Sequence, residues 1–278
     1  MVTFACDSCS GPSGGLACVL RRGATSAHRV DKLAPVLSGK TERARRTLLK
    51  QHFYHMAMLL LEYGLYWYGS AERLRQLVRY QDKHHLDDVL AAGEKVIILY
   101  PHFTAFEAAV YALNQDIPLI SVYAHQKNKA LDAQILKGRE RYRNVFLVGR
   151  TEGLRAIIKK IKATTAPFLY LPDQDFGRRE SIFVHFFGIP TATIAGLSRI
   201  AALTHAKIVP AIPTREADGR VTLRFYPAWS DFPSDDMVAD TQRMNDFIEA
   251  RIRECPAQYY WLHKRFKTRP EGTASFYR

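Results

Sequence analysis

A histidine and a glutamate five positions apart, His102 and Glu107, are the side chains of this 278-residue sequence best suited to acid–base chemistry. The apolar segment 96–100 comes just before them and is predicted to be a buried strand, which Pro101 would end. Thr104 could cap a helix that carries Glu107. His102 would then lie in the loop at the carboxyl end of a strand, with Glu107 in the first turns of the next helix.

This placement gives the two side chains a way to meet. On one continuous helix, side chains five positions apart point about 140° apart. Because His102 is predicted in a loop, the chain can fold back and bring the Glu107 carboxylate to the imidazole. A carboxylate on one ring nitrogen fixes the tautomer and leaves the other nitrogen as a base toward a hydroxyl. The alternative is a surface histidine and a solvated glutamate, since the chain holds ten histidines.

Two carboxylates follow another predicted strand, at residues 167–171. Asp173 and Asp175 stand on a glycine-containing loop, where they could orient a polar substrate or an arginine, or could simply form a turn. The predicted helix 128–141 is strongly basic, and a guanidinium on it could hold a phosphate. Most of such a helix is normally solvated. No further ligands accompany the two aspartates, so we expect no metal site there.

The composition indicates which classes of partner the protein could bind and in which cellular compartment it would work. The formal charge of +13 and the pI near 9.6 favour an acidic partner, which could be nucleic acid, an anionic membrane surface or an acidic carrier protein. Hydrophobic content of 47% excludes a disordered chain. Cys6 and Cys9 form a C-x-x-C without a second pair, so a reduced cytosolic setting without zinc is expected. The sequence has no apolar run of the ~20 residues that span a bilayer, and we expect no secretory signal.

The order of predicted elements divides the chain in two. Residues 1–39, rich in Gly, Ser, Cys and Arg, are predicted to be a mobile tail, and the position of the true start is left open. Residues 40–278 are predicted to be one domain, with N-terminal helices at 40–92 and a catalytic α/β core at 93–278. Strands alternate with helices in this core, which predicts a mostly parallel central sheet flanked by helices.

Three segments leave alternatives open. The predicted helix 40–68 begins with basic residues and continues with aromatic and aliphatic ones. This pattern suits a helix that adsorbs to an anionic bilayer, and it equally suits an amphipathic helix that packs on the domain. Segment 183–188 is apolar enough to line an acyl-chain pocket or to fill the core. Segment 259–270 interleaves aromatic residues with cations, as single-stranded nucleic-acid binders and membrane-surface edges both do.

Several stretches together resemble one known family. Residues 101–107, P-H-F-T-A-F-E, resemble the H-x-x-x-x-D/E block of the lysophospholipid acyltransferase superfamily. The P-D-Q-D-F-G loop at 172–177 resembles its lipid A acyltransferase branch, and residues 261–272 are similar to the C-terminus of that branch. Two features depart from the family: a tail of Gly, Ser and Cys stands where the family usually begins with a hydrophobic anchoring helix, and the E-G-T-R block of the glycerolipid branch is replaced by D-Q-D.

The resemblance implies a lauroyl/myristoyl-type lipid A biosynthesis acyltransferase with a glycerolipid acyltransferase-like fold. Its place would be the cytoplasmic face of a bacterial inner membrane, either peripheral or N-terminally anchored. The co-substrate would be acyl-acyl carrier protein, and the acceptor a hydroxyacyl group of a Kdo-bearing lipid A precursor, without a cofactor or metal. His102 would be the general base, held by Glu107. Arg139 would bind acceptor phosphate or help stabilise the oxyanion, and Asp173 and Asp175 would order the site.

Two other functions fit parts of the sequence. An acyltransferase of the same superfamily could act on a different acceptor, such as an ornithine lipid, a phosphatidylinositol mannoside or another glycolipid. A basic nucleic-acid-binding protein would use the C-terminal aromatic and basic segment, and its binding would depend on salt but not on His102 or Glu107. On the acyltransferase interpretation, no nucleic-acid partner is expected.

Overall fold

The computed structural model describes residues 37–142 and 145–277. Most of the predicted tail, residues 1–36, lies outside these ranges. The helices are α1 (Glu42–Tyr68), α2 (Ala71–Leu77), α3 (His84–Ala91), α4 (Phe106–Asp116), α5 (Lys129–Arg139), α6 (Gly153–Ala163), α7 (Gly196–Thr204) and α8 (Met237–Glu254). The strands are β1 (Val78–Gln81), β2 (Val96–Leu99), β3 (Leu119–Tyr123), β4 (Val145–Gly149), β5 (Phe168–Tyr170), β6 (Ser181–Phe186), β7 (Ile189–Ile194), β8 (Lys207–Arg215) and β9 (Val221–Phe225).

A central sheet of seven strands in the described ranges has the order β1-β9-β8-β2-β5-β3-β4. Strands β8, β2, β5, β3 and β4 are parallel, β9 pairs antiparallel with β8, and β1 is parallel to β9. Apolar side chains bury both faces of β2, because helices cover the sheet on both sides. The predicted mixed α/β fold with a mostly parallel, helix-flanked sheet is thus confirmed.

Helix α4 is the buried helix beside the site. It follows β2 directly, and nearly all of its residues are buried between the sheet and the N-terminal helices. The predicted cap is wrong, however. Ala105 occupies the N-cap position, and the buried hydroxyl of Thr104 has no hydrogen-bond partner among the described residues. Tertiary bonds hold this turn instead, since the Thr104 N–H donates to the Gln258 carbonyl at 2.7 Å.

One other element differs from the sequence expectation. The N-terminal helices predicted at 40–92 are interrupted by β1, because its short β-branched and aromatic segment pairs with β9. The apolar segment 183–188 lies mostly in the antiparallel hairpin of β6 and β7, which packs against α8. Phe186 of this hairpin is buried in the core. In the described part of the chain, no helix is long and apolar enough to cross a membrane.

Candidate active site

His102 lies at the carboxyl edge of the sheet, in the short loop between β2 and α4. Its side chain is buried, and its backbone carbonyl accepts a hydrogen bond from the Tyr260 N–H at 2.9 Å. The residue before Tyr260 also pairs with this loop, because Tyr259 forms an antiparallel β-bridge with Phe103. The loop is therefore fixed by backbone bonds before any side chain contributes.

Asp173 is the carboxylate that holds the His102 ring. The imidazole Nδ1–H donates to Asp173 Oδ1 at 2.7 Å, and the backbone N–H of His102 donates to Oδ2 at 2.8 Å. The sheet register explains this meeting, because Leu99 of β2 pairs with Tyr170 of β5. His102 and Asp173 thus each stand three residues beyond paired positions of neighbouring parallel strands.

The electrostatics of this pair favour an ionised aspartate and a neutral histidine. Burial alone would raise the pKa of Asp173, but the positive charge that the His102 ring carries when protonated, and the hydrogen bonds of His102, lower it to about 2. Burial lowers the pKa of His102 below its ordinary value, against the opposing pull of Asp173. A carboxylate can only accept, so Nδ1 carries the proton and Nε2 carries the lone pair.

Glu107 does not hold the His102 imidazole as predicted. Its Oε1 accepts hydrogen bonds from Arg139 Nη2 at 3.0 Å and from the Tyr63 hydroxyl at 3.1 Å. The bond to the imidazole Nδ1 belongs to Asp173, so the predicted contact is corrected in favour of a residue 71 positions away. Helix α4 directs Glu107 toward α1 and α5, which carry Tyr63 and Arg139. Glu107 acts on His102 as a nearby negative charge that raises the pKa of the ring.

Arg139 lies where the site meets an apolar pocket. Its side chain is only 14% exposed and forms a buried ion pair with Glu107. The pocket has an empty volume of about 580 Å³, open solvent included, and lies between α4 and strands β3, β4 and β5. Apolar residues dominate its lining, among them Phe106, Val110 and Leu171. The Phe106 ring also contacts the His102 ring edge-on, with centroids 5.6 Å apart, so the pocket begins beside the loop that carries His102.

Asp175 faces the C-terminal segment. Its carboxylate accepts hydrogen bonds from the N–H and the hydroxyl of Thr268 at 2.7 and 2.8 Å. Its backbone N–H donates to His263 Nε2 at 2.7 Å. Burial lowers the pKa of His263 to about 4, so the ring is neutral and able to accept this bond. Asp175 thereby ties the loop that carries Asp173 to the end of the chain.

Two site residues were not singled out from the sequence. Tyr63 reaches Glu107 from α1, and the amide nitrogen of Gln174 lies 3.2 Å from His102 Nε2. Gln174 lies between Asp173 and Asp175, which the sequence did indicate as site residues, so its position in the chain could have identified it. Nothing local in the sequence of α1 indicates that Tyr63 points inward. Among the described residues, no group of three or more His, Cys, Asp or Glu side chains could hold a metal ion.

The chain is similar to known proteins over most of its length. The chain is 33% identical to the lipid A biosynthesis lauroyltransferase of Escherichia coli K12 over 93% of its own length and 83% of that protein. It is 30% identical to the palmitoleoyltransferase of the same organism, over 84% and 76% of the two chains. A solved structure, the 1-acyl-sn-glycerophosphate acyltransferase PlsC of Thermotoga maritima, aligns with 83% of this chain and all of that one, at 13% identity and a TM-score of 0.40.

The family comparison covers nearly the whole sequence. The model of the bacterial lipid A biosynthesis acyltransferases matches residues 4–268, which include the His102 loop, α5, the loop after β5 and most of the C-terminal segment. The chain therefore belongs to the bacterial lipid A biosynthesis acyltransferase family.

Proposed function

We propose that this acyltransferase moves a fatty acyl chain from acyl-acyl carrier protein onto a hydroxyacyl group of a Kdo-bearing lipid A precursor. The family supports the reaction class and a lipid A precursor as the acceptor. One geometric observation supports the chemistry. His102 has its Nδ1–H on an ionised, buried Asp173, which leaves the Nε2 lone pair as a base for the acceptor hydroxyl.

The reaction needs one proton carrier and no covalent acyl-enzyme. As the acceptor oxygen attacks the thioester carbonyl carbon, its proton moves to Nε2 of His102 and the carbonyl oxygen becomes an oxyanion. Asp173 stabilises the imidazolium formed in this step. When the oxyanion collapses, the carbon–sulfur bond breaks and the departing thiolate takes the proton from Nε2. The ester product and the thiol of the carrier protein leave, and His102 is neutral again.

Glu107 and Arg139 hold the substrate side of the site in this proposal. The ion pair between them fixes the guanidinium in the lining of the apolar pocket. Arg139 retains donors beyond the one used by Glu107, so it can bind an acceptor phosphate or the developing oxyanion. The acyl chain would lie along the apolar pocket beside Phe106, where its methylene groups leave water while its carbonyl reaches His102.

One face of α1 supports an anionic membrane surface as a further partner. Tyr54, Leu61 and Tyr68 recur every seven residues and are 56%, 67% and 72% exposed. Arg43 and Lys50 precede them on the same face and are also exposed. Aromatic and aliphatic side chains that follow basic ones are typical of a helix lying in the interface of an anionic bilayer. The acceptor is a membrane lipid in this proposal, and Tyr63 of the same helix reaches the site.

The acceptor can be tested by parallel incubation. Purified protein would be incubated with mixed acyl-acyl carrier proteins and, in separate reactions, a lipid A precursor, an ornithine lipid or a phosphatidylinositol mannoside. The masses of the lipid products would be measured by mass spectrometry. We expect a gain of one acyl group on the lipid A precursor alone. Acylation of only one of the other acceptors would contradict the proposal but would not change the assignment of the chain to its family.

A further inference from the structure

The side chain of Gln174 occupies the position opposite the catalytic base. Its amide nitrogen lies 3.2 Å from His102 Nε2. The Nδ1–H is donated to Asp173, so Nε2 accepts and the Gln174 amide donates. An acceptor hydroxyl must approach the same lone pair to give up its proton. The amide therefore occupies the place that the attacking oxygen needs.

The backbone on either side of Gln174 is held in place. Asp173 is bound to the N–H and the ring of His102, and its carbonyl accepts from the Tyr259 hydroxyl at 3.4 Å. Asp175 is bound to Thr268 through its carboxylate. An arriving hydroxyl can therefore displace the Gln174 amide by rotation of this side chain, without moving the loop. After a rotation of this kind the amide stays close to His102, because the backbone on both sides of Gln174 is held.

We propose that Gln174 is a catalytic residue whose amide N–H leaves His102 when the acceptor hydroxyl binds and then donates to the oxyanion of the tetrahedral intermediate. The inference rests on the proposed acyl transfer. Electrons of the thioester carbonyl move onto its oxygen as the new carbon–oxygen bond forms, and the amide donates a hydrogen bond to that oxygen without losing its proton. When the carbon–sulfur bond breaks, the oxygen becomes a carbonyl again and the amide returns to Nε2.

An amide suits this position better than a charged side chain. A carboxylate there would be a second negative charge beside His102 and would raise the pKa of the base, as Asp173 and Glu107 already do. A cation would favour the oxyanion but would lower the basicity of Nε2. A neutral donor stabilises the intermediate in a site shielded from water and leaves the base unchanged. Arg139, the nearby cation that lines the pocket, already has one donor engaged by Glu107.

Steady-state kinetics of two variants would test the role of Gln174. Gln174→Met has a similar length but no donor, and Gln76→Met, at an exposed position of α2, is the matched control. We expect kcat of Gln174→Met to fall about 10²-fold, as for loss of one oxyanion donor. The KM for the acceptor should stay the same or fall, because the hydroxyl no longer competes with the amide. The control should keep the wild-type kcat.

Gln174→Glu provides a second, nearly isosteric variant. It should also lose kcat, and the acidic limb of its pH–rate profile should move to higher pH because the added charge favours the imidazolium. A kcat within twofold of wild type in Gln174→Met, or a loss expressed only in KM, would overturn the proposal. An unshifted profile in a folded Gln174→Glu protein would do the same. Absence of transfer by the wild-type protein would overturn the reaction itself, and the role of Gln174 with it.

Discussion

Replacing Asp173 by asparagine reverses the hydrogen-bond direction at the catalytic histidine. Both carboxylate oxygens are used in the native site, Oδ1 by the ring Nδ1–H at 2.7 Å and Oδ2 by the backbone N–H of His102 at 2.8 Å. Asparagine offers one oxygen and one NH₂. With its oxygen on Nδ1, the NH₂ would face the buried backbone N–H, and two donors would oppose each other. That arrangement leaves a buried donor unsatisfied, at a cost of about 1–3 kcal/mol.

The opposite orientation of the amide avoids this cost. Its oxygen then accepts from the backbone N–H, and its NH₂ donates to Nδ1. The ring proton must move to Nε2, which removes the lone pair that the mechanism needs. Tautomer reversal of this kind in a serine-protease triad lowers kcat about 10⁴-fold, or about 5 kcal/mol of activation free energy. We expect a loss of this order for Asp173→Asn.

The assay is the initial rate of lipid acylation at pH 7, with the melting temperature measured on the same samples. Asp173→Asn should melt as a folded protein, since the Tyr259 hydroxyl still donates to the backbone carbonyl of residue 173. The comparison variant is Glu107→Gln, which changes the other buried carboxylate of the site. If Asp173→Asn kept kcat within tenfold of wild type while Glu107→Gln lost about 10³-fold, Glu107 would be the partner of His102 and the reasoning would be wrong.

Four further outcomes follow from the site and from α1. Glu107→Gln should lower kcat only about tenfold, because Tyr63 and Arg139 both donate to Oε1 and an amide oxygen can accept both bonds; initial rates measure this. The acidic limb of kcat/KM should lie below pH 6.5, since burial lowers the pKa of His102 and activity is lost as pH falls through it; a limb above pH 7 would contradict this. Leu61→Glu should reduce flotation with phosphatidylglycerol vesicles, while Leu203→Glu, at an exposed leucine of α7, should not; equal flotation of both would exclude α1 as the docking face. Burial lowers the pKa of His52 to about 4, so the contribution of its neutral ring to the free energy of unfolding is fully present above pH 6.5 and is lost as pH falls toward 4. Over this range the free energy of unfolding of His52→Leu, measured by urea unfolding, should fall by about 3 kcal/mol less than that of the wild type.

Local patterns in the sequence were sufficient to predict the framework of the site. The apolar run before Pro101 predicts a buried strand, and β2 is buried on both faces with His102 in the loop beyond it. The strand before Asp173 and the basic helix that carries Arg139 are also predicted near their observed bounds. These features depend on hydrophobic periodicity and on proline, which act over a few residues.

The partner of His102 could not be predicted in the same way. Glu107 is near in sequence, and the H-x-x-x-x-E spacing favours it. The choice of Asp173 depends on the pairing of Leu99 with Tyr170, a register between strands that are about 70 residues apart in the chain. No local pattern encodes this register. Strand β1 was missed for a related reason, because its four residues become a strand only by pairing with β9.

The most direct test of the account is the mass of the lipid product formed by wild-type protein and by His102→Ala. Both proteins would be incubated with mixed acyl-acyl carrier proteins and the lipid A precursor, after circular dichroism has shown that both are folded. The account predicts a gain of one acyl group with the wild type and none with His102→Ala, and the size of the gain would give the chain length. Acylation by His102→Ala at the wild-type rate would contradict the central role of this histidine.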